Sequence, residues 1–305
     1  MSISLFASKM SDLVLRNLTT SDDPSFLMMQ IGAFDGLEYL PRIKVGLSAL
    51  DREGSFIAER NGSMVGCIAL VKLDRSGWFE VRNLALRESS ETDTAKKLIS
   101  QVAEFLKANH AEYVKAFTPA VQPYVDLYKE AGFEPVRRSL RICWNLSTCQ
   151  ERENKIETSE LSKEHADDAA QVWINGLRPY WDYWIDEQGG PEPIAAWVRE
   201  SVAKRQGWIG AFIDKELVGL SILRCDSYGS GEARFNGAYT TPEFRKRGVG
   251  SALMNATIRE ALKQNQNTMR VYTLAFLDHL APGAVLYLKT SGRIEGEYLQ
   301  LQMRR

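Results

Sequence analysis

Hydrophobic positions along the chain follow two periods, and the order in which those periods occur is written twice. Ser55-Phe56-Ile57-Ala58-Glu59 and Met64-Val65-Gly66-Cys67-Ile68-Ala69-Leu70 are apolar runs joined by the polar Arg60-Asn61-Gly62-Ser63. Trp208-Ile209-Gly210-Ala211-Phe212 and Leu217-Val218-Gly219-Leu220-Ser221-Ile222-Leu223, joined by Ile213-Asp214-Lys215-Glu216, repeat the arrangement 153 residues later. β-branched and aromatic runs flanking a short polar turn predict β-hairpins. Glu80 to Leu86 and Ala233 to Tyr239 predict the next strand of each half. A helix follows: Ala95, Leu98, Ile99, Val102, Phe105 and Leu106 form an apolar stripe of helical period, and Met254, Ile258, Ala261 and Leu262 mark its counterpart. Tyr113 to Phe117 and Met269 to Phe276 then read as strands. Each unit closes with a short helix ending at Gly132 or Gly292, residues suited to a helix C-terminus through their tolerance of positive φ.

Ahead of these cores, the strands Leu13 to Leu18 and Lys155 to Thr158 open the units. Helical segments follow in Asp23 to Leu50, where Gly32, Gly36 and Pro41 break the pattern, and in Lys163 to Asn175 and Ile194 to Ala203. The predicted order is β-α-α-β-β-β-α-β-α, twice over. It implies an α/β fold of two tandem domains, each a mixed twisted sheet flanked by helices, at 1–148 and 149–305 with a polar linker near Ser147 to Asn154.

Composition narrows the function classes. The 305 residues suit two domains of about 150. A net charge of −1 with no long run of one sign argues against nucleic acid or an anionic membrane as partner. No apolar stretch approaches the ~20 residues of a membrane-spanning helix. Met1 to Met10 lacks the features of a signal peptide, so a cytoplasmic protein is expected. Cys67, Cys143, Cys149 and Cys225 are scattered without a Cys-x-x-Cys, and His110, His165 and His279 lack metal-ligand spacing; reduced thiols and no metal site are expected.

The chemistry concentrates in Tyr239-Thr240-Thr241-Pro242-Glu243-Phe244-Arg245-Lys246-Arg247-Gly248-Val249-Gly250-Ser251. A strand ends, and a basic loop punctuated by glycine enters a helix whose first N–H groups lack intrahelical acceptors. Gly248 and Gly250 remove side chains that would hold a phosphate away, and Arg245, Lys246 and Arg247 add charge, so capture of a diphosphate is implied. The third glycine of a dinucleotide fingerprint and the Gly-Lys-Ser/Thr of a Walker loop are missing, which leaves a nucleotide-phosphate site as the weaker reading.

Arg-x-x-Gly-x-Gly after a strand, preceded by Thr-Pro-Glu-Phe, resembles the acetyl-CoA signature of the GNAT superfamily of N-acetyltransferases. The resemblance implies a splayed central sheet, acetyl-CoA as acyl donor, the diphosphate on amides of Arg247 to Ser251, and the pantetheine arm along Ala238, Tyr239 and Thr240. It implies a small-molecule or peptide amine as acceptor, and a monomeric pseudo-dimer or a homodimer. The first half has Ser90, Asp93 and Ala95 where the second has Arg245, Gly248 and Gly250; Glu88 and Glu91 would oppose a diphosphate there. The layout is similar to that of tandem GNAT proteins of the mycothiol synthase type, with a degenerate first unit.

The family's Leu-Tyr-x-x-x-Gly-Phe is complete at Leu127-Tyr128-Lys129-Glu130-Ala131-Gly132-Phe133, whereas Leu286-Tyr287-Leu288-Lys289-Thr290-Ser291-Gly292 is one residue longer. Tyr287 is the expected general acid because it belongs to the half with the phosphate loop. Glu232 is the candidate base, and Asn236 on the same strand face is expected to position substrate or water. Trp181 and Trp184, within an aromatic segment carrying Asp182, Asp186, Glu187 and Glu192, would suit a cationic amine. The same segment also reads as an amphipathic helix packed on the first domain. The function expected is N-acetyl transfer to an amine, with a non-catalytic acyl-CoA-binding or scaffold protein as the alternative.

Overall fold

The computed structural model describes residues 13–33, 47–73, 75–88, 91–149, 154–204, 207–225 and 231–303. The chain forms two compact units, 1–137 with 298–305, and 138–297. Met1 to Met10, Ser90 and part of the Asp23 to Leu50 segment lie outside the described residues.

Unit 1 contains β1 (Val14–Asn17), α1 (Asp23–Ala33), β2 (Phe56–Arg60), β3 (Ser63–Lys72), β4 (Trp78–Leu86), α2 (Thr92–Ala108), β5 (Tyr113–Pro119) and α3 (Tyr124–Glu130). Strands β1 to β4 pair antiparallel in chain order, and β4 pairs parallel with β5. The β2–β3 hairpin turns on Asn61 and Gly62, both at positive φ, the arrangement that matches strand twist in a two-residue loop. The apolar stripe of α2, with Leu98, Ile99, Val102 and Leu106, packs on Ile68, Leu70, Val81 and Ala116.

Near β1, the Arg16 guanidinium bonds both oxygens of Asp22 at 2.8 Å, and Thr19 donates to the same carboxylate from its N–H and hydroxyl. The Arg16 bonds, and secondarily those from Thr19, hold the Asp22 carboxyl well below the usual carboxylate range despite partial burial. A depressed folded pKa stabilises the fold above the ordinary carboxylate pKa of about 4, and that stabilisation fades as pH falls further. Asp22→Asn is therefore expected to flatten the loss of stability between pH 4 and pH 2. Urea titrations of both proteins across that range test this, and parallel curves would refute it.

Unit 2 contains β7 (Glu157–Glu160), α4 (Ala166–Leu177), α5 (Asp182–Glu187), α6 (Pro191–Lys204), β8 (Trp208–Ile213), β9 (Glu216–Cys225), β10 (Glu232–Thr240), α7 (Val249–Lys263), β11 (Thr268–Ala275) and α8 (Pro282–Lys289). Its strands repeat the pairing of unit 1: β7 to β10 antiparallel, then β10 parallel with β11. The β8–β9 turn puts Asp214 and Lys215 at φ of 51° and 68°, the same geometry without a glycine. On one face α4 and α6 bury Trp173, Val198 and Val202 against Trp208, Leu220 and Ile222. On the other face α7 packs Leu253 and Ala256 on Ile209, Ala211 and Val218.

The final strand of each half is absent from the predicted order. Phe133–Asn145 forms β6 and Arg293–Met303 forms β12. Residues Arg138 to Asn145 of β6 pair antiparallel with β11 inside unit 2, and Gln302 to Tyr298 of β12 pair with Lys115 to Pro119 of β5 inside unit 1. The halves read at 1–148 and 149–305 thus exchange their last strands. Trp144 of β6 makes the exchange an element of the unit 2 core: it is fully buried, donates from Nε1 to the Thr290 carbonyl at 3.0 Å, and meets Phe235 and Tyr287 edge-on.

Candidate active site

β10 and β11 are paired only from Glu232 to Arg234. Beyond that point β10 keeps its ladder with β9, and β11 keeps its ladder with β6, so the two strands part and leave a cleft between them. The separation begins at a bulge. Phe235 faces Leu223 and Ala238 faces Ser221, so β10 has one residue more than β9 across this stretch, with Gly237 at φ +121°. The Tyr239 hydroxyl closes the bulge by donating to the Asn236 carbonyl at 2.9 Å.

Tyr287 of α8 meets the bulge from the cleft side. Its hydroxyl accepts from the Ala238 N–H at 3.0 Å, and its ring lies edge-on to Phe235 and Trp144. Burial pushes the phenol up to about 12, against a smaller opposite effect of the Ala238 amide, so it is protonated at neutral pH. Tyr287 is four residues before Ser291, which has φ +70°, as Tyr128 is four before Gly132 at φ +94°. The extra residue in the second motif therefore falls after the helix end and leaves the direction of Tyr287 intact. Gly292 does not have the positive φ expected of it. It is required instead for close packing, since a Cβ there would lie 2.6 Å from Ile142 and 2.7 Å from the Tyr287 carbonyl.

Alternation along β10 extends the cleft-facing backbone. The Ala238 N–H points to Tyr287, and the Thr241 N–H points the other way, to the Val218 carbonyl of β9. Ala238 and Thr240 therefore present their amides to the open side, with Tyr239 turned to β9. Beyond Thr241 the chain makes a short turn over Pro242–Phe244 and enters α7 through Gly248, the N-cap, at φ +90°. The N–H groups of Val249, Gly250 and Ser251 belong to the unsatisfied first turn, which contains no acidic residue. Val249 is buried against Ala238, fixing this helix end beside the strand. Lys246 and Arg247 are exposed, the latter over the Phe244 ring at 5.2 Å.

Two expectations for this loop change. Gly250 is not needed for phosphate access: its missing side chain faces Leu286, whose Cδ2 would lie 2.8 Å from a Cβ. Nor does Arg245 aim its guanidinium at the helix N-terminus. Nη2 donates to the carbonyls of Gly176 at 3.2 Å and Arg178 at 2.6 Å, at the end of α4, and Nε donates to Thr240 at 3.3 Å. A cation here satisfies carbonyls that a helix C-terminus leaves open and complements its dipole. Gly176 lets α4 approach β10, since a Cβ would meet that of Tyr239 at 2.8 Å. Arg245→Ala is expected to lower stability by about 1–3 kcal/mol through the loss of these charge-assisted bonds. It should also weaken acetyl-CoA binding; thermal melts and calorimetry test both effects, and a melt equal to wild type would refute the clamp.

Unit 1 retains the bulge, but its helix start carries carboxylates in place of glycine and basic residues. Cys67 pairs with Ala85 and Ala69 with Arg82, again one extra residue in β4, and β4 leaves β5 after Val81. At the N-terminus of α2, the Glu91 carboxylate accepts from the Thr94 hydroxyl at 2.8 Å and lies 3.4 Å from Arg60, with Asp93 in the first turn. Those carboxylates put negative charge at the position that a diphosphate would need. Tyr128 is fully buried, edge-on to Phe133, and burial alone pushes its hydroxyl up.

Residues 170–286 match the model of the Acetyltransferase (GNAT) family. The second half has the GNAT fold. The whole chain has the tandem form of that fold. A GCN5-related N-acetyltransferase from Sphaerobacter thermophilus superposes with a TM-score of 0.70 at 13% identity, over 95% of each chain. A tandem GNAT protein from the clavulanic acid biosynthesis pathway gives 0.65 at 14%, over 95% of this chain and 98% of that one. A GNAT-family acetyltransferase from Colwellia psychrerythraea gives 0.65 at 13%, over 96% and 100%. No curated protein sequence matches the chain. Among the described residues, no helix is long and apolar enough to cross a membrane, and no cluster of His, Cys, Asp and Glu could hold a metal ion.

Within this unit the structure does not bring Glu232 to the cleft. Its carboxylate pairs with Arg270 Nη1 at 2.7 Å, both groups mostly buried, and Arg270 Nε also reaches Glu295 at 3.1 Å. Glu232 precedes Ala238 by six residues, about 20 Å of strand. Its position in the closed end of the β10–β11 ladder makes it a structural ion-pair partner. Glu232→Gln is expected to cost about 1–3 kcal/mol of stability and to leave the pH dependence of turnover in place. A lost alkaline or acidic limb in the pH–rate profile would restore it as the base.

The aromatic segment is likewise committed largely to packing. Trp173 stacks on Tyr239 at 4.5 Å and touches Trp197 and Trp208, and half-buried Trp181 and Trp184 pack on the same core. Tyr180 turns toward β11: its ring is 6.1 Å from Phe276, which stacks on His279 at 4.4 Å. His279 is hydrogen-bonded to Asp278 at 2.6 Å, and both are exposed.

Proposed function

We propose that the chain is an N-acetyltransferase that moves an acetyl group from acetyl-CoA directly to the amine of a small molecule or peptide. The observation that carries this reading is the Ala238 N–H bonded to the buried Tyr287 hydroxyl at the bulge of β10, on the strand that leads into the open N-terminus of α7. Unit 2 supplies the fit: amides of Val249 to Ser251 for a diphosphate, Lys246 and Arg247 for its charge, and the cleft-facing backbone of Ala238 and Thr240 for the pantetheine arm. Acetyl-CoA provides the activated thioester. The Ala238 amide is taken up by Tyr287, so the next cleft-facing strand amide, that of Thr240, polarises the carbonyl under attack. Tyr287, protonated because burial holds its proton, donates to the sulfur as the C–S bond breaks and the C–N bond forms. The amine enters as the free base, and the proton it sheds passes to solvent through the open cleft, from which Tyr287 is reprotonated.

Calorimetry with acetyl-CoA and with ATP, followed by an assay of CoA release across a library of primary amines, tests the proposal. Micromolar binding of acetyl-CoA and amine-dependent CoA release are expected. Binding of ATP alone would sink the acyl-transfer reading, and acetyl-CoA binding without release on any amine would leave an acyl-CoA-binding protein.

A further inference from the structure

The sheet of unit 2 carries a row of three arginines, and the middle one, Arg234, makes no ion pair or hydrogen bond among the described residues. Arg224 of β9 is the direct partner of Arg234 on β10, and Arg234 is the partner of Arg270 on β11. Residues directly opposite on neighbouring strands share a face, so three guanidinium groups project side by side from the face that α4 and α6 cover farther along. Like charges so placed repel one another, and an anion among them relieves the repulsion. Arg270 has its anions, Glu232 and Glu295. Arg234 is half-buried in the middle of the row and makes no ion pair or hydrogen bond among the described residues. Glu232, two residues earlier on the same strand face, is engaged by Arg270 at 2.7 Å.

The location gives this unpaired cation a use. Arg234 is the last residue of β10 paired with β11, the point at which the strands part. Asn236 follows two residues later in the bulge, and Ala238 two after that, about 13 Å of strand from Arg234. A long side chain anchored at Arg234 can therefore hold one end of a molecule whose other end reaches the bulge.

Resting on the acyltransfer reading above, we propose that the acceptor is an anionic amine, with a carboxylate or phosphate held by Arg234 and its amino group delivered to the bulge at Asn236–Ala238. A guanidinium presents paired donors to either oxyanion, and an anion there would also neutralise the row. The cationic acceptor suggested by the aromatic segment is the opposite charge class, so the two expectations separate cleanly.

The experiment compares CoA release with four six-carbon amines: 6-aminohexanoate, 6-aminohexyl phosphate, hexylamine and 1,6-diaminohexane, with the three- to five-carbon members of each series alongside. The expected result is kcat/KM at least about tenfold higher for an anionic amine than for the uncharged-tail and dicationic ones, the gain lying in KM. Carboxylate and phosphate arms decide which oxyanion is preferred. In Arg234→Gln the ratio of anionic to neutral kcat/KM should collapse toward one, and Arg234→Lys should restore part of it; an unchanged acetyl-CoA affinity certifies that each variant is folded. Equal turnover of hexylamine and the anionic amines by wild type, or an unchanged ratio in Arg234→Gln, overturns the proposal. Calorimetric titration with 6-aminohexanoate and 6-aminohexyl phosphate gives an independent reading that needs no turnover. Anion affinity that is Arg234-dependent supports this site even if acyl transfer fails, and absence of any such affinity sinks it even if acyl transfer succeeds.

Discussion

Tyr287→Phe is expected to lower kcat by about 100-fold or more, the scale of a lost general acid, while the dissociation constant for acetyl-CoA changes by less than about threefold. The hydroxyl does two things, and the variant removes both. It is the acceptor for the Ala238 N–H, and it holds a proton that burial keeps in place well above neutral pH. The ring itself stays, packed edge-on to Trp144 and Phe235, so the apolar contacts that position α8 survive the substitution. Loss of the acceptor leaves the Ala238 amide to water in the cleft, a stability cost of order 1 kcal/mol. If the tyrosine were only a packing residue, that small thermal shift would be the whole effect. A kcat within threefold of wild type, measured by stopped CoA-release assays at saturating acetyl-CoA, would therefore remove Tyr287 from the chemistry. The equivalent Tyr128→Phe should leave turnover intact, because Tyr128 stands in the unit whose helix N-terminus carries the negative charges of Glu91 and Asp93.

The legible parts of the fold are those written in local periodicity. The two hairpins, the α2 stripe and the α7 helix were all readable, since alternation and helical period need only neighbouring residues. The exchanged strands β6 and β12 were not, because a run such as Arg293–Met303 carries no local mark of the strand it will pair with. At the site, the loop from Arg245 to Ser251 was legible because its glycine and backbone geometry are encoded together, as the positive φ of Gly248 shows. Side-chain assignments fared differently. Arg245 has the charge for phosphate but also the reach to α4, and only the position of Gly176 against Tyr239 puts that helix end within range. Glu232 lies near the site along the strand sequence, whereas its neighbour across the sheet, Arg270, determines what it does. Arg234 is silent in the sequence for the same reason: its significance lies in a row formed by three strands, of which the chain order shows one at a time.

Gly248 and Gly250 look interchangeable in the motif, and the structure separates them. Gly248 is the N-cap of α7 at φ +90°, exposed, with nothing closer than 3.8 Å to where a Cβ would sit. Its requirement is conformational: a side chain there fits sterically but costs about 1–3 kcal/mol in a backbone region that L-residues avoid. The strain is relieved by moving the N-cap, and with it the N–H groups of Val249 to Ser251 that the diphosphate needs. Gly248→Val, β-branched and least tolerant of positive φ, is therefore expected to weaken acetyl-CoA binding by more than about 100-fold, a loss of roughly 3 kcal/mol. Gly250 has ordinary helical geometry and an absent side chain directed at the flexible end of Leu286. Gly250→Ala should shift Leu286 and gain helix propensity, with acetyl-CoA affinity within about fivefold of wild type. Calorimetric dissociation constants for the two variants decide the point. Equal losses would mean that side-chain volume beside the phosphate, rather than the path of the backbone into α7, is what the two glycines protect.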